Sequence, residues 1–102
     1  MESYNKLVRD KIPEILDGKG VPYEKRIASP EEYKAELIKK LNEEVQEFTE
    51  SGGDVSELAD IIEVVEALKK LPGYENVEDI REKKRKERGG FDEKIILKGQ
   101  KE

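Results

Sequence analysis

The feature that most constrains the fold is a glycine pair, Gly52-Gly53, between two long segments that carry helix signals. Ser29-Pro30, followed by two glutamates, has the pattern of a capping box with proline in the first turn. The helix that it starts is expected to run to about Ser51. A second capping pattern, Asp54-x-x-Glu57, starts another helix, which should stop at Leu71-Pro72-Gly73. The break is short enough to turn the two helices antiparallel.

Weaker signals predict one helix before this hairpin and one after it. Asp10 is a candidate cap for a short helix over about 11–17, which Gly18 and Gly20 would end. Asn76 is a candidate cap for a fourth helix over about 77–88.

The sequence therefore predicts an all-α fold: an antiparallel helical bundle of about four helices in a single domain, 1–102. Two short stretches, 21–28 and 91–97, are expected to be extended and are candidates for pairing with each other.

Composition limits the chemistry and the core. With 34% hydrophobic and 44% charged residues among 102, the chain can bury only a thin core, so we expect self-association into an oligomer. The absence of cysteine and histidine excludes thiol chemistry, disulfides and the commonest general base. No apolar run approaches the roughly 18 residues of a membrane span, and no leader pattern opens the chain. We therefore expect a cytoplasmic protein without membrane partners.

Charge is strongly segregated along the chain. Residues 31–68 hold twelve acids and three lysines, whereas both flanking regions are net positive. Nucleic acid is not expected as a partner, although 83–88 reads KKRKER, because the acidic middle would repel a phosphate backbone.

Helical geometry places one acid among apolar side chains. At about 100° per residue, Glu44 lies inside the apolar stripe of the second helix, Glu47 lies at its edge, and Glu43 faces outward. A buried lone carboxylate is costly, so Glu44 is the informative anomaly. The stripe consists of Tyr33, Leu37, Ile38, Leu41, Val45 and Phe48.

The third helix adds two acids that face the same region. Glu57 lies within a wide apolar arc and Asp60 just past its end, and an arc this wide needs more than one neighbouring helix or subunit. Counted from the turn, Glu47 comes level with Glu57, and Glu44 with Asp60. Four converging carboxylates indicate a hard divalent cation such as Mg²⁺. In the alternative reading, Glu57 only completes the Asp54 cap and Glu47 is a surface charge.

The pattern Glu43-Glu44-x-x-Glu47, followed by Glu57-x-x-Asp60-Ile61, resembles the EExxE…ExxD signature of the MazG-like nucleotide pyrophosphohydrolases, which are all-α enzymes. The opening 4–13, YNKLVRDKIP, and the stretch from Lys84 to Phe91 resemble a phosphoribosyl-ATP pyrophosphohydrolase-like subgroup. The nine residues between Glu47 and Glu57 form a shorter connection than is usual in that superfamily.

This resemblance implies hydrolysis of a nucleoside triphosphate between its α and β phosphates. The oligomer that we expect from the thin core is a homodimer or a dimer of dimers. Mg²⁺, with Mn²⁺ as a substitute, would be held by Glu44, Glu47, Glu57 and Asp60. The water's proton would pass to Glu44, Glu47 or another of these carboxylates, or to Glu43. The expected substrate-binding residues are Asn5, Lys6, Arg9, Lys11, Lys84 and Arg88.

Two other functions remain open at this point. The substrate could be phosphoribosyl-ATP itself, in histidine biosynthesis. Alternatively, the chain could be a non-catalytic helical dimerisation module whose acidic cluster is only surface.

Overall fold

The computed structural model describes residues 5–100, which form four α-helices and no strand. They are α1 (Ile12–Gly18), α2 (Pro30–Glu50), α3 (Val55–Lys69) and α4 (Val77–Arg88). The all-α prediction is confirmed. The two predicted extended stretches are irregular and do not pair as strands; a turn from Phe91 to Lys94 interrupts the second.

Local capping chemistry explains where the two long helices begin. The Ser29 hydroxyl accepts a hydrogen bond from the Glu32 N–H at 3.2 Å, and the Asp54 carboxylate accepts one from the Ser56 N–H at 3.0 Å. Each bond satisfies a backbone donor that the helix itself leaves unpaired. Both predicted caps are confirmed.

Of the two caps predicted for the shorter helices, Asp10 is wrong and Asn76 is confirmed in position only. The cap position of α1 is Lys11 rather than Asp10, and within the described part of the chain its side chain makes no capping hydrogen bond. Asn76 does stand at the cap position of α4, but it too makes no side-chain cap bond within residues 5–100. Pro13, in the first turn of α1, has no N–H that needs a partner. The acids in the first turn of α4 interact favourably with the helix dipole. Both helices can therefore begin without a side-chain cap bond.

The Gly52-Gly53 turn folds α3 back onto α2. Both glycines have positive φ, 74° and 91°, a conformation that costs other residues energy. The Gly53 N–H donates to the Phe48 carbonyl at 3.0 Å and closes the end of α2. The resulting hairpin is the principal packed unit of the described structure.

The core lies between α2 and α3. Its buried side chains are Leu37, Val64 and Leu71, and Leu7 from the N-terminal segment packs against them. By contrast, α4 has no buried residue, and an ion pair of 3.1 Å between Lys69 and Glu78 links its first turn to the end of α3. The core is thin, as the composition predicts.

An exposed set of apolar side chains remains on the two long helices. We call it the outer apolar face; its side chains, between 37% and 78% exposed, are Ile38, Val45, Val55, Leu58, Ile62 and Val65. The wide arc predicted on α3 thus has α2 on one side and no cover on the other within residues 5–100. None of the described helices is both long and apolar enough to span a bilayer.

Candidate metal centre

Three acids from the two long helices meet at the inner side of the hairpin. One carboxylate oxygen from each of Glu44, Glu57 and Asp60 lies within 4.8 Å of the others. Glu57 and Asp60 are one turn apart on α3, and Glu44 faces them from α2. Two like charges about 4 Å apart repel by about 4 kcal/mol at an effective dielectric constant of about 20. This arrangement therefore calls for positive charge.

Glu44 is the most buried acid of the cluster, at 8% exposure. Burial raises the pKa of its carboxyl group above the ordinary value, and the Glu47 and Asp60 carboxylates raise it further, while Lys40 partly opposes them. Its Oε2 atom is buried and has no hydrogen-bond partner in the described structure. A buried acceptor without a partner is costly, so this oxygen is available to a ligand.

Glu57 does not act as the partner of the Asp54 cap. The Asp54 N–H, which such a partner would bind, donates instead to the Ser51 hydroxyl at 3.0 Å. Glu57 Oε2 is buried and lacks a hydrogen-bond partner among residues 5–100. The capping interpretation of Glu57 is therefore wrong, and its carboxylate is directed to the cluster instead.

Two cations of the same chain already offset part of the negative charge. Arg9 Nη2 donates to Asp60 Oδ1 at 2.7 Å, and Lys40 Nζ lies 3.6 Å from Glu44 Oε1. The Lys40 side chain is only 22% exposed, so it is a partly buried member of the site rather than a fully solvated surface charge. Sequence reasoning missed Lys40, although its position four residues before Glu44 on one helix face was the signal.

A cavity of about 280 Å³ opens beside these groups. Its charged lining includes Arg9, Lys40, Glu44 and Asp60, and its apolar floor is formed by core side chains. The cavity thus places cations, acids and an apolar floor side by side.

The remaining predicted acids lie next to the cluster. Glu47 is exposed and outside the group of three, although it is close enough to influence Glu44. Glu43 is partly buried on the same helix and is likewise outside that group. Their roles as ligand and general base stay predictions.

The structure brings only one of the predicted phosphate-binding residues, Arg9, to this cavity within the described chain. Asn5, Lys6 and Lys11 are exposed on the same N-terminal segment but are not part of its lining. Lys84 and Arg88 line a separate groove between α4 and the segment that follows it. Any contact of Lys84 or Arg88 with the acidic cluster requires another arrangement of α4 or a second copy.

The donor set fits a hard divalent cation. All three groups offer carboxylate oxygen, the ligand that Mg²⁺ and Mn²⁺ accept most readily. Two of the three residues, Glu44 and Glu57, each have a carboxylate oxygen that is buried without a hydrogen-bond partner among the described residues. No family model, curated protein or solved structure matches the chain.

Proposed function

We propose that this chain is a Mg²⁺-dependent nucleotide pyrophosphohydrolase. The reaction is hydrolysis of a nucleoside triphosphate at the α-β phosphoanhydride, which yields a monophosphate and pyrophosphate, in a house-cleaning role. The observation that supports it most strongly is the convergence of Glu44, Glu57 and Asp60, with buried and unpartnered oxygens on two of them.

The three acids would hold the cation, with Glu47 as the fourth ligand. When bound, Mg²⁺ supplies neutralisation of charge on phosphate oxygens and a lower pKa for a bound water. Arg9 and Lys40 add positive charge at the cavity, where the phosphates of a substrate would lie. One of the carboxylates, or Glu43 beside them, accepts the proton of the attacking water.

We further propose that the active form is a homodimer or a dimer of dimers. The support is the outer apolar face, whose exposed side chains lie on both helices of the hairpin. Spacings of three and four residues between Val55, Leu58, Ile62 and Val65 suit helix-on-helix packing. A helical dimerisation module without catalysis would use this same face, so activity must be measured directly.

The deciding experiment is a pyrophosphate-release assay over normal, deoxy and damaged nucleoside triphosphates and phosphoribosyl-ATP. We expect release to require Mg²⁺ or Mn²⁺ and to fall at least 100-fold in Glu44→Gln and in Asp60→Asn, roughly the loss of one essential electrostatic group. Glu82→Gln removes an exposed acid of α4 and serves as the control with unchanged turnover. Full turnover in either site variant would overturn the assignment; no release from any substrate would favour the dimerisation module.

A further inference from the structure

The N-terminal segment lies across the metal centre as a strap, which we define as residues 5–11. Leu7 packs against the buried core, and this contact fixes the path of the strap over the hairpin. Two residues later, the Arg9 guanidinium reaches Asp60 on α3, fifty-one positions away in sequence. The strap therefore delivers a cation to the cluster from outside the two helices that build it.

Asp60 has a short hydrogen bond from a cation, whereas the ion pair between Lys40 and Glu44 is longer, at 3.6 Å. Asp60 Oδ1 accepts a 2.7 Å charge-assisted bond from Arg9, whereas Glu44 Oε2 and Glu57 Oε2 lack hydrogen-bond partners among the described residues. The Arg9–Asp60 pair is also accessible, with side chains 56% and 38% exposed. An accessible pair of this kind is weak and is readily exchanged for a stronger partner.

We propose that Arg9 is a placeholder for the divalent cation at Asp60. In the metal-free protein Arg9 neutralises the carboxylate, and it gives up that carboxylate when a cation binds the three acids. The released guanidinium remains at the mouth of the cavity because Leu7 holds the strap, so it is available to a phosphate there. The proposal rests on the metal site of the proposed function.

The exchange couples two ligands that bind the same cavity. A cation must displace Arg9 before it can use Asp60 fully, so the arginine weakens metal binding. A phosphate that engages the freed arginine keeps it from returning and thereby strengthens metal binding. The strap would in this way favour simultaneous occupation by metal and phosphate over metal alone.

The test is a titration of the full chain with MnCl₂, followed by calorimetry, for wild type, Arg9→Gln and Lys70→Gln. Lys70 lines the same cavity, so its replacement removes an equal charge without breaking the bond to Asp60. We expect Arg9→Gln to bind Mn²⁺ about two- to fivefold more tightly than wild type, because the energy of one exposed ion pair no longer opposes metal binding. For Lys70→Gln we expect a change in Mn²⁺ affinity less than half as large. Circular dichroism confirms that the variants are folded.

A second measurement tests the phosphate half of the exchange. With saturating Mn²⁺, inorganic phosphate should bind Arg9→Gln about tenfold more weakly than wild type, because a charge-assisted bond is lost. Equal or weaker Mn²⁺ binding by Arg9→Gln, or equal tightening in both variants, would overturn the placeholder while leaving the metal site intact. If wild type itself does not bind Mn²⁺, the metal site of the proposed function fails, and the placeholder fails with it.

Discussion

Glu57 and Glu44 show what a single buried oxygen atom implies. Each has an Oε2 atom that is shielded from water and has no hydrogen-bond partner in the described structure. Proteins seldom leave such an acceptor empty without a functional reason, because the lost hydration is not recovered. Both residues belong to the group of acids that α2 and α3 bring together.

Replacing Glu57 with glutamine should separate metal binding from local stability. Without metal, Glu57→Gln should melt at a higher temperature than wild type, because one of three crowded charges is gone. With Mg²⁺ at about 100 times the dissociation constant, wild type should gain about 2.7 kcal/mol and the variant much less. Thermal denaturation with and without MgCl₂ measures both effects; Glu82→Gln, on α4, should respond to Mg²⁺ as wild type does. Equal Mg²⁺ shifts in Glu57→Gln and wild type would contradict the role of Glu57 as a ligand.

For single residues, the sequence predicts which face of a helix a side chain lies on better than it predicts which distant residue that side chain contacts. The burial of Glu44 follows from its angle within the apolar stripe, and that prediction is confirmed. The bond between Arg9 and Asp60 could not be predicted, because it depends on how Leu7 anchors the N-terminal segment on the core. Helical periodicity contains no information about the path of an irregular segment.

At the scale of secondary-structure elements, the helices with side-chain caps were the most predictable. Ser29 and Asp54 form the expected bonds because a cap involves only residues within one turn of each other. The extended stretches were predicted from local pattern alone, and a strand also needs a distant partner to complete its hydrogen bonds. The side chains of Ile95, Ile96 and Leu97 are accordingly exposed rather than paired in a sheet.

The capping difference between helices gives a direct stability test. Ser29→Ala should lower the free energy of unfolding by about 1 kcal/mol, since the Glu32 N–H loses its acceptor. Asn76→Ala is the matched control, because Asn76 stands at the cap position of α4 but makes no cap bond within the described residues. Urea denaturation measures the two changes. Equal losses in both variants would show that the Ser29 hydroxyl is not the source of the effect.

For the whole molecule, most of the packing between helices in the described residues is that of α2 against α3. The buried core consists of three side chains within residues 5–100, while six apolar side chains form the outer apolar face. The excess of exposed over buried apolar side chains agrees with two sequence predictions, a thin core from the composition and a wide apolar arc on α3. The position of α4 was not predictable, because its polar surface gives it no preferred face for packing.

The outer apolar face makes assembly testable with one substitution. If the proposed dimer or tetramer forms through this face, Ile62→Glu should give a monomer at micromolar concentration, because it places a charge among the exposed apolar side chains. Ile27→Glu is the control, since Ile27 is 94% exposed outside this face and should leave the assembly unchanged. Light scattering coupled to size-exclusion chromatography gives the mass. A monomeric wild type would contradict the proposed assembly.

The Gly52-Gly53 turn is also the place where residues can be inserted or deleted without moving the acids of the cluster relative to one another. Each residue inserted into a helix between the turn and the acids would rotate those acids by about 100° and separate them from their partners. Residues inserted at the turn itself would lengthen a surface loop, at a cost that grows only slowly with length. The length of the turn itself is therefore a weak constraint on the acidic cluster, whereas the spacing from Glu57 to Asp60 on one helix is strict. Evolutionary drift in length should concentrate at this one joint.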